Sequence, residues 1–231
     1  MTSHEPDERI ARGMATQLDE RRSRLEAGER HLGWKVGFGT AQAMARLGIA
    51  APLVAYLVQS ARLESGATCS LAGWGAPKLE PEVAVHLDAD VDAAGGRAAV
   101  EAALAGLGAA IELVDLDPDA GDPEDILARG VFQRHVLLGP VQDVRGTGGV
   151  HLEVLVDGES AVDTGDVTAA TGDVLDAVAS VAATLEAAGE RLRAGDVVIA
   201  GSIVPALDVV PGEEVEVRLE PLGRLAVRFS D

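Results

Sequence analysis

Apolar and polar positions alternate between a helical and an extended period along this chain, and the alternation predicts most of its elements. Ile10, Met14, Leu18 and Leu25 recur at helical spacing, so residues 5–30 are expected to form an amphipathic helix, with Asp7 and Glu8 near its positive end. Residues 31–38 read as a short glycine-containing strand. Thr40 is expected to cap a helix over 41–47 that Gly48 closes. The apolar run from Pro52 to Val58 fits a lid, a strand or an interface segment, and periodicity does not choose among them. From Glu64-Ser65-Gly66 onward strands recur, near 67–73, 79–88, 109–116, 131–138, 149–156, 160–164, 196–201, 213–220 and 224–229. Asp157-Gly158 and Pro221-Leu222-Gly223 are hairpin signals. Helices are expected over 96–107, for a turn or two from 123, and over 173–189, where Val174, Val178, Val181 and Leu185 form an apolar stripe. Many strands with few helices predict a β-rich α+β fold, divided near residue 65 into a small N-terminal portion (1–65) and a main β-rich catalytic domain (66–231).

Composition narrows the function. The 231 residues carry a formal charge of −19, which argues against binding nucleic acid or an anionic membrane, since both need a positive field. With 3% aromatic residues, Ala, Val and Leu must build the core. Cys69 is the single cysteine, so an internal disulfide and a thiolate-rich zinc site are both excluded. The first residues lack the apolar stretch of a signal peptide, and no apolar run approaches a membrane span, so the protein is expected in the cytoplasm. Basic charge is almost wholly arginine, with Lys35 and Lys78 the only lysines.

Candidate chemistry centres on residues 77–86. The alternation there places Glu80, Glu82, Ala84 and His86 on one face of a strand, and Leu79, Pro81, Val83 and Val85 on the other. Glu80 and Glu82 are spaced roughly 6.5–7 Å along it, close enough to share a divalent cation or simply to line a solvated face. Ala110-Ile111-Glu112-Leu113-Val114-Asp115 is a second acidic strand segment, in which Glu112 has apolar neighbours and needs a partner if buried, while Asp115 faces the other way and could cap a loop. Three carboxylates without a thiolate favour a hard cation, Mg²⁺ or Mn²⁺. An open site of that kind suits an α-keto acid, whose carboxylate and oxo group chelate a metal that stabilises an enolate.

Gly33-Trp34-Lys35-Val36-Gly37, Lys78-Leu79-Glu80-Pro81-Glu82-Val83-Ala84, Ala110–Asp115 and Gly195-Asp196-Val197-Val198-Ile199-Ala200-Gly201-Ser202, followed by Pro211-Gly212-Glu213 and Leu222–Phe229, occur in an order that resembles the fumarylacetoacetate hydrolase superfamily, in its 2-keto-4-pentenoate hydratase and 4-oxalocrotonate decarboxylase branch. The resemblance implies a mixed β-sandwich or roll with a small N-terminal α/β portion, assembled as a homodimer or larger homo-oligomer. It places Glu80, Glu82 and Glu112 on the metal-ligand positions, Lys35 against the substrate or its enolate, and Ser202 in the loop lining the same pocket. Lys78 and Arg134 are expected to bind substrate charge, with Arg129 an alternative to Arg134. His86, His135 and His151 remain as acid or base candidates, His86 lying roughly 13 Å beyond the acidic pair.

The sequence departs from the family's hydratase pattern at three places. Ala51-Pro52-Leu53-Val54 stands where an acidic Glu-Pro-Asp-type segment is common, Ala128-Arg129-Gly130-Val131 where a polar Asp-Asn or Asp-Ser segment is usual, and Val204 where threonine is expected. Each removes a hydrogen-bonding or proton-transferring group. The implied activity is that of a Mg²⁺- or Mn²⁺-dependent lyase acting on a small 2-oxo or 2-hydroxydienoic acid, hydrating a 2-keto-4-pentenoate-like compound. Decarboxylation or C–C hydrolysis of an acylpyruvate is the second reading. A family member reduced to a binding or assembly subunit is the reading of a different class.

Overall fold

The structure, a computed structural model, describes residues 7–117 and 119–231. The helices are α1 (Glu8–Glu26), α2 (Ala41–Leu47), α3 (Gly96–Ala103), α4 (Pro123–Ala128) and α5 (Val174–Ala187). The strands are β1 (His31–Gly37), β2 (Leu53–Val58), β3 (Arg62–Leu63), β4 (Ala67–Ser70), β5 (Pro77–Leu87), β6 (Leu104–Asp115), β7 (Gln133–Leu138), β8 (His151–Val156), β9 (Glu159–Thr164), β10 (Val197–Ser202), β11 (Leu207–Asp208), β12 (Glu214–Glu220) and β13 (Gly223–Ser230). The β-rich α+β expectation holds. The helix expected from residue 5 begins, among the described residues, at Glu8, with Asp7 capping it through the Arg9 amide; residues 5 and 6 lie outside the described residues. Thr40, Asp122 and Asp173 cap α2, α4 and α5 in the same way.

Two sheets form the body. The larger runs β2-β1-β10-β5-β6-β7-β3, with β11 added to β5; the smaller runs β4-β13-β12-β8-β9. The outward faces of β5 and β6 (Val83, Val85, Ile111, Leu113) join the inner residues of the second sheet (Leu152, Val217, Leu225, Val227) in one core cluster. The opposite face of the large sheet carries a separate, smaller cluster of Leu57, Ala84, Ala110, Val136, Val197 and Ile199. β2 and β3 stand at opposite ends of the large sheet, yet only Gln59–Ala61 separates them in the chain, so the sheet must curl until its ends meet. That smaller cluster fills the inside of the curl. Strands on either side of residue 65 share this sheet, since β1 pairs with β10 and β10 with β5.

The undecided Pro52–Val58 run resolves as β2, a strand buried at every position because α1 covers it; the buried Gln17 amide donates to the Val54 carbonyl at 2.7 Å. The helix expected to 107 ends at Ala103. Gly106 and Gly108 disfavour helix, and Leu104–Gly108 pair with β5 instead. The strand expected from 131 begins at Gln133, because Gly130, Val131 and Phe132 all take left-handed backbone angles (φ 60°, 52° and 64°) and form a tight turn. Among the described residues no helix is long and apolar enough to cross a membrane.

Candidate active site

β5 and β6 bring the acidic residues together by register. Glu80 lies directly opposite Glu112, and Glu82 opposite Ala110, so the three carboxylates share the inner face of the curl. One oxygen from each lies within 4.8 Å of the others. Glu82 and Glu112 are fully buried and Glu80 half-buried. One Glu82 oxygen accepts the Gly201 amide at 2.8 Å, while Glu82 Oε1 and Glu112 Oε2 are buried without a partner. Unpaired buried carboxylate oxygens are costly, and two of them aimed into one acidic cluster fit a cation.

Lys35 is the counter-charge. Its strand row runs Lys35, Ile199, Ala84, which sets its side chain on the same inner face. Although 1% exposed, its ammonium is ion-paired with Glu112 Oε1 and donates to the Val131 carbonyl at 3.1 Å. The left-handed turn at Val131 aims that carbonyl inward. Gly37 makes room for it, since a Cβ there would lie 2.4 Å from Val131 Cγ1. Burial raises the pKa of all three carboxyls. Glu82 is pushed well above the ordinary value by burial and then by the neighbouring Glu112 and Glu80, and Glu112 is raised to about 7 by burial, with Lys35 opposing. A divalent cation removes this penalty, and three oxygen donors suit Mg²⁺ or Mn²⁺.

The cluster opens into a cavity of about 330 Å³ lined by Lys35, Glu80 and Ser202 together with Val36, Phe38, Thr40, Gln42, Val114, Leu116, Val131, Thr171 and Val204–Ala206. Ser202 therefore sits at the cavity, with its hydroxyl donating to the Val204 carbonyl at 2.6 Å. Lys78 lies one row beyond Glu80 on the same face, opposite Val114, but its ammonium is ion-paired with Asp208 on β11 and it is not among the lining residues. Arg134 is placed elsewhere, paired with Asp115 at 2.9 Å and stacked over Trp74. Asp115 caps a loop by accepting the Gly75 and Ala76 amides, each at 2.8 Å. Arg129 is held by Asp117 at 2.7 Å.

None of the three histidines lines the cavity. His86 is half-buried on the inner face, with Nε2 unpartnered and its pKa lowered by burial. His135 lies 3.3 Å from the Ala61 carbonyl, and His151 pairs with Asp163 on the second sheet. Sequence reasoning missed the Val131 carbonyl, the Gly201 amide and the Phe38 and Thr171 walls. Gly130 and Gly201 were the available signals, because both take left-handed angles that turn a neighbouring backbone group inward.

Residues 30–230 match the family model described as fumarylacetoacetate (FAA) hydrolase, C-terminal. The chain is 31% identical to a 2-keto-4-pentenoate hydratase of Paraburkholderia phymatum over 215 residues, covering 90% of this chain and 81% of the relative. It is 29% identical to a 4-oxalocrotonate decarboxylase of a Pseudomonas species over 214 residues, covering 88% and 80%. Its fold matches the solved structure of a 4-oxalocrotonate decarboxylase of Pseudomonas putida G7, complexed with magnesium and adipate, at a TM-score of 0.87 and 24% identity, covering 95% of this chain and 86% of that one.

Proposed function

The chain belongs to the fumarylacetoacetate hydrolase family, and from that premise we propose that it is a Mg²⁺- or Mn²⁺-dependent lyase acting on a small 2-oxo or 2-hydroxydienoic acid. The observation that carries this reading is the buried Glu80, Glu82 and Glu112 cluster, with two unpartnered oxygens, at the end of a small cavity. In this reading the three glutamates hold the cation, which when bound supplies a Lewis acid for the carboxylate and oxo group of the substrate.

The chain's own groups do the rest. A lysine ammonium has three donors, and Lys35 spends two on Glu112 and the Val131 carbonyl, so one remains for a substrate oxygen that gains negative charge. The Ser202 hydroxyl donates its hydrogen bond to the Val204 carbonyl, which leaves its oxygen as an acceptor able to orient an incoming water or an enol hydroxyl. The apolar walls around Val36, Val114 and Val131 lower the local dielectric and strengthen these interactions. Hydration of a 2-keto-4-pentenoate-like acid is the first reaction proposed. Decarboxylation is the second, favoured by the decarboxylase relative and by the cavity's lack of histidine among the described residues. Homo-oligomeric assembly is part of the same proposal.

Calorimetric titration with Mg²⁺ and Mn²⁺, followed by a panel of 2-oxo acids assayed for ketonisation, hydration and decarboxylation, tests the reading. Binding of metal by the wild type, its loss in Glu82→Gln and turnover of at least one acid are expected. Absence of metal binding at millimolar concentration sinks the metalloenzyme reading. Metal binding with no turnover across the panel favours a binding subunit instead.

A further inference from the structure

The walls of the cavity differ sharply from its floor. Lys35 is the sole lysine, arginine or histidine among the described residues that line it, and its charge is already engaged by Glu112. Beyond the carboxylates the lining is Phe38, Val114, Leu116, Val131, Val204 and Pro205. Thr40, Gln42, Thr171 and Ser202 add polarity without charge. Val114 stands two residues past Glu112 on β6, roughly 6.5 Å farther along the strand, about the length of the tail of a five- or six-carbon 2-oxo acid. Three of the four cations around this region are paired with carboxylates, and the fourth, Arg46, rests on the Phe38 wall without lining the cavity. Lys78 is paired with Asp208, Arg129 with Asp117 and Arg134 with Asp115, while Arg46 lies over the Phe38 ring, 5.9 Å from its centroid.

We propose that this cavity selects 2-oxo acids whose far end is uncharged and discriminates against dicarboxylic ones, with Val114 and Val204 as specificity-determining residues. The inference rests on the hydration reading of the proposed function, because it takes the carboxylate and oxo head of the substrate to lie at the three-glutamate cluster; it disfavours the decarboxylation reading, whose substrate must carry a second carboxylate to lose. A second carboxylate placed among these walls gives up hydration, and once the three glutamates are balanced by Lys35 and a bound divalent cation no net positive charge remains to receive it. A methyl, vinyl or other apolar tail gains burial there instead.

The test is calorimetric binding to the Mg²⁺-loaded full chain of 2-oxohexanedioate and of 6-methyl-2-oxoheptanoate, which replaces the far carboxylate by an isopropyl group of similar shape. The monoacid is expected to bind roughly tenfold or more tightly than the diacid, the cost of leaving a buried charge unpaired. Val204→Arg is expected to bring the diacid to equal or tighter binding while leaving the Mg²⁺ affinity unchanged. Equal or tighter binding of the diacid to the wild type overturns the inference while leaving the proposed function standing, and loss of that binding in Lys78→Met would assign the far carboxylate to Lys78. If neither acid binds although Mg²⁺ does, the proposed function fails and the inference with it.

Discussion

Glu82 concentrates the electrostatic cost of the cavity. It is fully buried, it accepts one backbone amide, and its second oxygen has no partner beside two other carboxylates. In the metal-free protein Glu82 and Glu112 keep their protons to higher pH than in the unfolded chain, whose carboxyls ionise near 4.5, whereas Glu112 does so at about 7. Between those values the folded state binds more protons, so its stability falls as pH rises. The melting temperature of metal-free protein is therefore expected to drop from pH 5 to 7, and the rise on adding Mg²⁺ to grow over the same range, because in the proposed function these carboxyls must deprotonate to hold the cation. Glu82→Gln flattens both trends. A scanning calorimetry series in which wild type and Glu82→Gln have the same pH dependence would refute this account. Lys35→Met removes the only charge that stabilises Glu112 in the buried pair. It is expected to cost about 3 kcal/mol in metal-free stability by denaturant titration and to lower turnover by roughly a hundredfold or more.

The elements that carry the site were largely legible because strands report themselves by alternation. The alternation around Glu80 and Glu82 was correct, although the strand runs Pro77–Leu87 rather than 79–88, and the hairpin appears at the Asp157-Gly158 signal, with φ of 52° and 86°. Pairing register was not legible. That Glu80 faces Glu112 across two strands is a fact of three dimensions, which order along the chain suggested only through resemblance to a family. Backbone groups were invisible for a related reason. The Val131 carbonyl and the Gly201 amide act through main-chain direction, which side-chain periodicity does not encode. The same close approach makes β1 unforgiving. A Cβ on Gly33 would lie 1.9 Å from the Val197 carbonyl oxygen of β10, and backbone cannot move aside as a side chain can. Gly33→Ala is expected to destabilise the protein by about 2–3 kcal/mol in urea denaturation. A loss below about 0.5 kcal/mol would show that the two strands can separate at little cost.

Across the molecule, a charge of −19 on 231 residues imposes self-repulsion that surface ion pairs offset little, since most of them are exposed. Salt is therefore expected to raise the metal-free melting temperature between 20 and 300 mM NaCl, as screening shortens the reach of that repulsion. A melting temperature that falls with salt would instead point to net-stabilising ion pairs.

The place of β10 in the large sheet carries a consequence for how the protein is made. β10 lies between β1 and β5, although it is formed by residues 197–202, so the strands that precede it in the chain can assemble only around a slot. The Glu82 to Gly201 bond spans 119 residues, and closing so long a loop is a late and slow event in folding. A growing polypeptide thus carries a half-built acidic pocket until β10 has left the ribosome. Its strands β1 and β5 meanwhile present unpaired edges to any neighbour that can add a strand. Until that one strand is inserted, Glu82 lacks its Gly201 partner and the acidic cluster is incomplete.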